Sequence, residues 1–226
     1  MAMTKYRASF AISLRAPRLL RMLALCAAGG TLALSLSGCV GLALGGAVVG
    51  TMAATDRRTF GAQTEDKTIE LKSTTRINNM PGGAGHVDVT SYNRKVLLTG
   101  EVPDEATKAE VERQVMDVEG VQSIVNELAI AGASSMTSRS NDALLTGKVK
   151  ASLVDARDIS ANSFKVSTER GTVYLMGRVT QREGSRAAEV ARGIAGVQKV
   201  VKVFEYIDES EARQMSGSAA PQGTTR

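Results

Sequence analysis

The chain has 226 residues, 23% of them charged and only 4% aromatic, with no tryptophan and a single histidine. Such a length suits two small domains, and the inventory leaves little for metal, nucleophilic or base-stacking chemistry. The formal net charge of +5 lies wholly in the first 38 residues, where Lys5, Arg7, Arg15, Arg18 and Arg21 face no acid, so the rest of the chain is neutral and gives no argument for a nucleic-acid partner.

Those five cations form a basic leader, and Leu23–Leu36 is an apolar stretch behind it. Leu36-Ser37-Gly38-Cys39 then gives a Leu, two small residues and a Cys. The small residues let a signal peptidase reach the backbone, and the thiol takes a diacylglyceryl group before cleavage. Residues 1–38 are therefore expected to be a lipoprotein signal peptide and Cys39 the acylated first residue of the mature chain; an ordinary secretory signal with an incidental Cys is the alternative. Val40 follows the Cys, where an Asp would favour inner-membrane retention, so the expected place is the outer membrane, lipid-anchored, on its periplasmic side. Val40–Ala54 is uncharged and rich in Gly and Ala, and at 15 residues it is short of the roughly 20 that a span needs. Residues 39–65 read as anchor and leash; a longer uncleaved anchor from Leu23 to Ala54 is the rival.

The remainder says one thing twice. Val96–Leu128 and Val173–Phe204 align with one single-residue gap, at a period of about 76 residues, too long for a solenoid unit. Each copy opens with a helical pattern (Asp66–Ile77; Asp142–Val154), the second capped by Asp142 or Asn141. A strand follows (His86–Thr90; Phe164–Thr168), then a tight polar turn and a second strand (Val96–Val102; Val173–Val179). Next comes an amphipathic helix, with Val111, Val115 and Val118 on one face in copy one and Ala187, Ala191 and Ile194 in copy two. Gly120 and Gly196 stand where a positive φ ends a helix. A last strand (Gln122–Ile130; Lys199–Ile207) must lie parallel to its neighbour, because a helical crossover precedes it. Gly100 and Gly177, inside the second strands, mark a close backbone approach or a bulge, or else merely weaken the strand.

The fold class is thus α+β: two tandem αββαβ domains, each a small mixed three-stranded sheet packed by two helices. Domain one is 66–130, a linker 131–140, domain two 141–207, and 208–226 a Ser/Gly-rich tail expected to be disordered. Copies of about 65 residues have marginal cores, so they are expected to pack on each other as a rigid pair.

The hydrophobic-x-hydrophobic-x-Gly strand, the helix, and then Val118-Glu119-Gly120-Val121 to Val125, or Ile194-Ala195-Gly196-Val197 to Val201, resemble the BON domain. The resemblance covers about two thirds of the chain. It extends to the dual-BON outer-membrane lipoproteins of that family through Ala53-Ala54-Thr55-Asp56-Arg57-Arg58, Asn141-Asp142 and Val173–Thr180. It implies a periplasmic envelope protein that binds phospholipid, and that the opening helix of copy two is the contacting element.

The residues of that helix suit the role. Leu145, Val149 and Leu153 are spaced to face the sheet, while Leu144, Lys148, Ala151 and Val154 form a neighbouring stripe with Gly147 beside it and Lys150 close by. Apolar groups can enter the headgroup boundary while lysines reach phosphates. Carried over by position, the lipid contacts are Leu144, Gly147, Lys148, Lys150, Ala151 and Val154; the family member has an aromatic residue where Leu144 stands. A Leu144 packed between the domains is the plainer reading. Residues 66–130 hold 7 basic and 11 acidic residues, and 141–207 hold 11 and 7. That asymmetry suits an anionic membrane surface for copy two, or electrostatic docking of one copy on the other.

No catalytic set, metal site or cofactor is expected. His86 stands alone, Cys39 is the only mature cysteine, and Gly82-Gly83-Ala84-Gly85 has no following Lys-Ser/Thr to make a phosphate loop. The sequence reads as a non-enzymatic lipoprotein binding an anionic phospholipid membrane and supporting envelope integrity. A protein adaptor for an envelope assembly or cell-wall remodelling complex is the alternative, and nothing in the sequence fixes an oligomeric state.

Overall fold

The structure is a computed structural model and describes residues 56–217. The expected signal peptide, Cys39, most of the leash and the end of the tail lie outside those residues.

Thr59 starts the first helix, α1 (Phe60–Asn78), its hydroxyl accepting from the Ala62 amide. Then come β1 (His86–Tyr92), β2 (Lys95–Val102), α2 (Glu105–Met116) capped by Asp104, β3 (Ser123–Asn126) and β4 (Ala129–Ile130). The second copy runs α3 (Met136–Asp155), a 3-10 turn at Ala161–Ser163, β5 (Phe164–Glu169), β6 (Thr172–Val179), α4 (Gln181–Arg192) and β7 (Lys199–Tyr206). A further helix, α5 (Glu209–Gly217), follows.

Each copy has the expected mixed sheet. β1–β2 and β5–β6 are antiparallel hairpins, and β3 and β7 lie parallel to the middle strand. In copy one the last strand is in two pieces, so the sheet has four strands rather than three. The break falls at Glu127-Leu128, where Leu128 buries its side chain and its amide turns to the Asn126 side chain, 3.2 Å away.

The middle strands are apolar on both faces. Val96, Leu98 and Val102 meet α1 and α2, and Val173, Leu175 and Val179 meet α3 and α4. The alternate positions Leu97, Tyr174 and Met176 point the other way and join Tyr92 and Val203 in a third buried cluster. That cluster is a seam in which the two sheets pack face to face, and the described residues, 56–217, belong to one compact unit. Burial pushes the hydroxyls of Tyr92 and Tyr174 up to about 12. Large apolar side chains contribute roughly 1.5–3 kcal/mol each on burial, against 0–1 for an exposed ion pair. The apolar seam is the main hold between the copies; their opposite charges add the partly buried Lys165–Glu70 pair, and Asn93 donates to Glu205.

Three sequence expectations are corrected here. The opening helices begin before Asp66 and Asp142, and Ser135, accepting from the Ser138 amide, starts α3 in place of Asp142 or Asn141. Half of the expected linker is thus helical. The expected disordered tail instead holds α5, because Asp208 accepts from the Glu211 amide at 2.7 Å and Arg178 pairs with Glu211 at 2.9 Å.

Gly120 and Gly196 have φ of 93° and 100°, and a β-carbon at Gly196 would stand 2.9 Å from Leu145. At Gly100 and Gly177 the neighbouring backbone comes close: a β-carbon would lie 2.1 Å from the carbonyl oxygen of His86 in β1 and 2.3 Å from that of Ser163 in the turn before β5.

Candidate functional site

Helix α3 buries one stripe and exposes the next. Leu145, Val149 and Leu153, four apart, enter the core of copy two. Leu144 and Val154 are 65% and 67% exposed, and Gly147, Lys148, Lys150 and Ala151 are exposed with them. All six residues singled out from the sequence therefore share the outer side of one helix, and Leu144 is not walled in between the copies. Among the described residues neither Lys148 nor Lys150 is ion-paired, so both charges face solvent uncompensated.

Shallow depressions flank this stripe. Beside Leu144 and Lys148 lie Arg170, Gly196 and Gln198. Beside Lys150 and Val154 lie Ala161, Asn162 and Phe164. Arg170 is a cation that sequence reasoning missed, because it sits on the β5–β6 turn and reaches the helix only through the fold.

The equivalent face of α1 is different. Counting from the matched aspartates, Thr68, Lys72, Thr75 and Asn78 take the places of Leu144, Lys148, Ala151 and Val154, and all four are exposed. Leu71, at the place of Gly147, is 70% exposed, and Lys72, Arg76, Asp117 and Glu119 line the depression beside it, so their charges balance. That face therefore carries no excess positive charge to attract an anionic surface. The two copies share a fold and differ in what the opening helix offers.

Asp66 and Asp142 hold these helices on the hairpins. The hairpin loops Asn93-Arg94 and Arg170-Gly171 have positive φ at both residues, the geometry that matches strand twist but suits Arg poorly. Each buried aspartate accepts from both loop amides, at 2.8 and 2.9 Å in copy one and 2.9 Å twice in copy two. Burial opposes the charge on Asp66, but the Ser91 hydroxyl, the Arg94 and Asn93 amides and the Arg58 guanidinium outweigh it and hold its carboxyl below the usual range.

The segment before α1 is tied to both copies. Arg57 forms a two-pronged pair with Glu183 of α4, at 2.7 and 2.8 Å, and donates to the Arg178 carbonyl at 2.9 Å. Arg58 pairs with Asp66 and lies over the Tyr92 ring. The Asp56-Arg57-Arg58 motif is therefore a clasp on the folded pair.

At one edge of the seam His86, Glu101 and Glu169 converge, each offering a ligand atom within 4.8 Å of the others. Burial, and then the nearby Glu101, raise the Glu169 carboxyl above the usual range. No helix among the described residues is long and apolar enough to cross a membrane.

The family model for the BON domain matches residues 65–132 and again 141–208. The chain belongs to the BON-domain family. It is 40% identical over 176 residues to the outer membrane lipoprotein DolP of Haemophilus influenzae, a match spanning 76% of this chain and 91% of that one. It is 31% identical to the 21 kDa hemolysin of Actinobacillus pleuropneumoniae, across 67% of this chain and 79% of the relative. With the osmotically-inducible protein Y of Escherichia coli it shares 30% identity, across 50% and 58%. The chain is thus a dual-BON protein similar to DolP, and its place is with the outer-membrane lipoproteins of the cell envelope.

Proposed function

We propose that the second BON domain binds anionic phospholipid at the periplasmic face of the membrane to which Cys39 tethers the chain, and that the protein supports envelope integrity without catalysing a reaction. The observation that carries this reading is the outer stripe of α3: Leu144 and Val154 exposed, with the unpaired Lys148 and Lys150 between them. Each lysine near an anionic surface contributes roughly 1 kcal/mol, and each apolar side chain up to about 1.5–3 kcal/mol if fully buried. That sum gives weak intrinsic binding. An acyl tether makes weak binding sufficient, because it holds the helix at high effective concentration beside the bilayer. The helix then selects lipid composition rather than providing attachment.

Residues 51–226, which contain the compact unit and lack Cys39, provide the test. They should float with vesicles in proportion to their phosphatidylglycerol content, and Leu144→Glu or Lys148→Glu should abolish flotation. Flotation unchanged by Leu144→Glu would place the contact elsewhere. Indifference to anionic lipid, with capture of an envelope protein through the same helix face, would favour the adaptor reading.

A further inference from the structure

Glu101 and Glu169 are buried carboxylates with too few partners. Glu101 is 1% exposed and Glu169 7%, and the Oε1 atom of each has no hydrogen-bond partner. Buried polar atoms are ordinarily satisfied, and an unpaired buried charge is among the larger penalties a fold can carry. Glu101 Oε2 accepts from the Ser134 amide at 3.1 Å and lies 3.3 Å from His86 Nδ1. The nearest cation, Arg170, stands 3.9 Å from Glu101 Oε1, beyond hydrogen-bond length and half exposed. Asp142 and the exposed Asp88 add further negative potential. The site is therefore rich in acceptors and short of positive charge.

We propose that His86, Glu101 and Glu169 form a binding site for a divalent first-row transition cation, with Zn2+ the best match, that staples one BON copy to the other. His86 and Glu101 face each other across the β1–β2 hairpin of copy one, and Glu169 comes from the end of β5 in copy two. One imidazole and two carboxylates are a donor set that Zn2+ accepts, with water in the fourth position. Ca2+ and Mg2+ are poorer fits, since they want six or more oxygen ligands. Bonds of about 2.0–2.2 Å require the three ligand atoms to draw in modestly from their present spacing. The His86 side chain is 20% exposed, which leaves an entry path from solvent. The dication would balance both carboxylates and occupy the lone pairs that no protein group reaches. It would also fix the linker, because Glu101 holds the Ser134 amide. The proposal is independent of the lipid reading.

His86 is the only histidine in the chain, so its imidazole resonances report on this site alone. The full acylated protein in detergent micelles, without a polyhistidine tag, is titrated with Zn2+ and followed by NMR and thermal unfolding. One equivalent should shift the His86 resonances and saturate, and raise the unfolding midpoint by roughly 5 °C. Glu169→Gln should weaken Zn2+ binding by more than ~10-fold. Failure of the His86 resonances to move at stoichiometric Zn2+, an equal response to Mg2+, or unchanged affinity in Glu169→Gln overturns the site. If Glu169→Gln does not fold, the His86 resonances of the unaltered chain decide.

Discussion

Asp142 accepts from the amides of Arg170 and Gly171 as Asp66 does from those of Asn93 and Arg94, so the same buried carboxylate closes the same hairpin loop in both copies. Removing it leaves two amides without partners in a loop already at positive φ. Asp142→Ala should lower stability by about 2–4 kcal/mol in urea unfolding, with Asp142→Asn intermediate. An effect below 1 kcal/mol would mean that the loop holds its shape unaided.

The same arrangement sets the acid response. The Asp66 and Glu183 carboxyls both lie below their usual range: burial opposes, and is outweighed for Asp66 by the Ser91, Arg94, Asn93 and Arg58 donors and for Glu183 by Arg57 and the Thr180 amide. The unfolded chain binds these protons first, so their stabilisation is complete above the unfolded values near pH 4 and is lost as pH falls through the lower folded values. The urea midpoint should decline below about pH 4.5, and Asp66→Asn should flatten that decline. An identical pH slope in the variant would remove Asp66 as a cause.

Arg57 and Glu183 are an ion pair with side chains only 4% and 8% exposed. Arg57→Ala strands a buried carboxylate and should cost about 3–5 kcal/mol. The double variant Arg57→Leu/Glu183→Gln should recover most of that loss, since no buried charge remains. Equal destabilisation by the single and double changes would assign the effect to packing.

Leu144 offers burial without the interfacial preference of an aromatic ring. Leu144→Trp should increase the fraction of residues 51–226 bound to phosphatidylglycerol vesicles several-fold. The chain has no other tryptophan, so a blue shift of its fluorescence on vesicle addition reads the contact directly. A spectrum insensitive to vesicles would mean that this face does not enter the bilayer.

Gly147 lies inside α3, and a β-carbon added there would meet nothing within 4 Å. Gly147→Ala should stabilise the protein by about 1 kcal/mol, the helix-propensity difference. The thermal midpoint measures it.

Much of the fold was legible from short-range pattern. The doubled Val-x-Gly-Val signal, the β-branched strands and the four-apart Leu145, Val149 and Leu153 gave the element order and the buried side of α3, since side-chain periodicity follows backbone geometry. Asp142 was misread because a carboxylate next to a helical run has the form of a cap, and only the hairpin returning above it supplies its partners. Arg170 and the cluster of His86, Glu101 and Glu169 were missed because their members are far apart in sequence. One signal went unused: Val96-Leu97-Leu98 and Val173-Tyr174-Leu175-Met176 are apolar without alternation, the mark of strands covered on both faces.

By itself the sequence determined that the chain carries two BON copies, and which side of α3 is buried, because local spacing and propensity decide these. The tertiary structure alone decided that the sheets meet face to face, leaving α3 outside the seam and placing three acceptor side chains from both copies at its edge. Those outcomes depend on which apolar faces find each other, and contact between distant segments has no signature within any one of them.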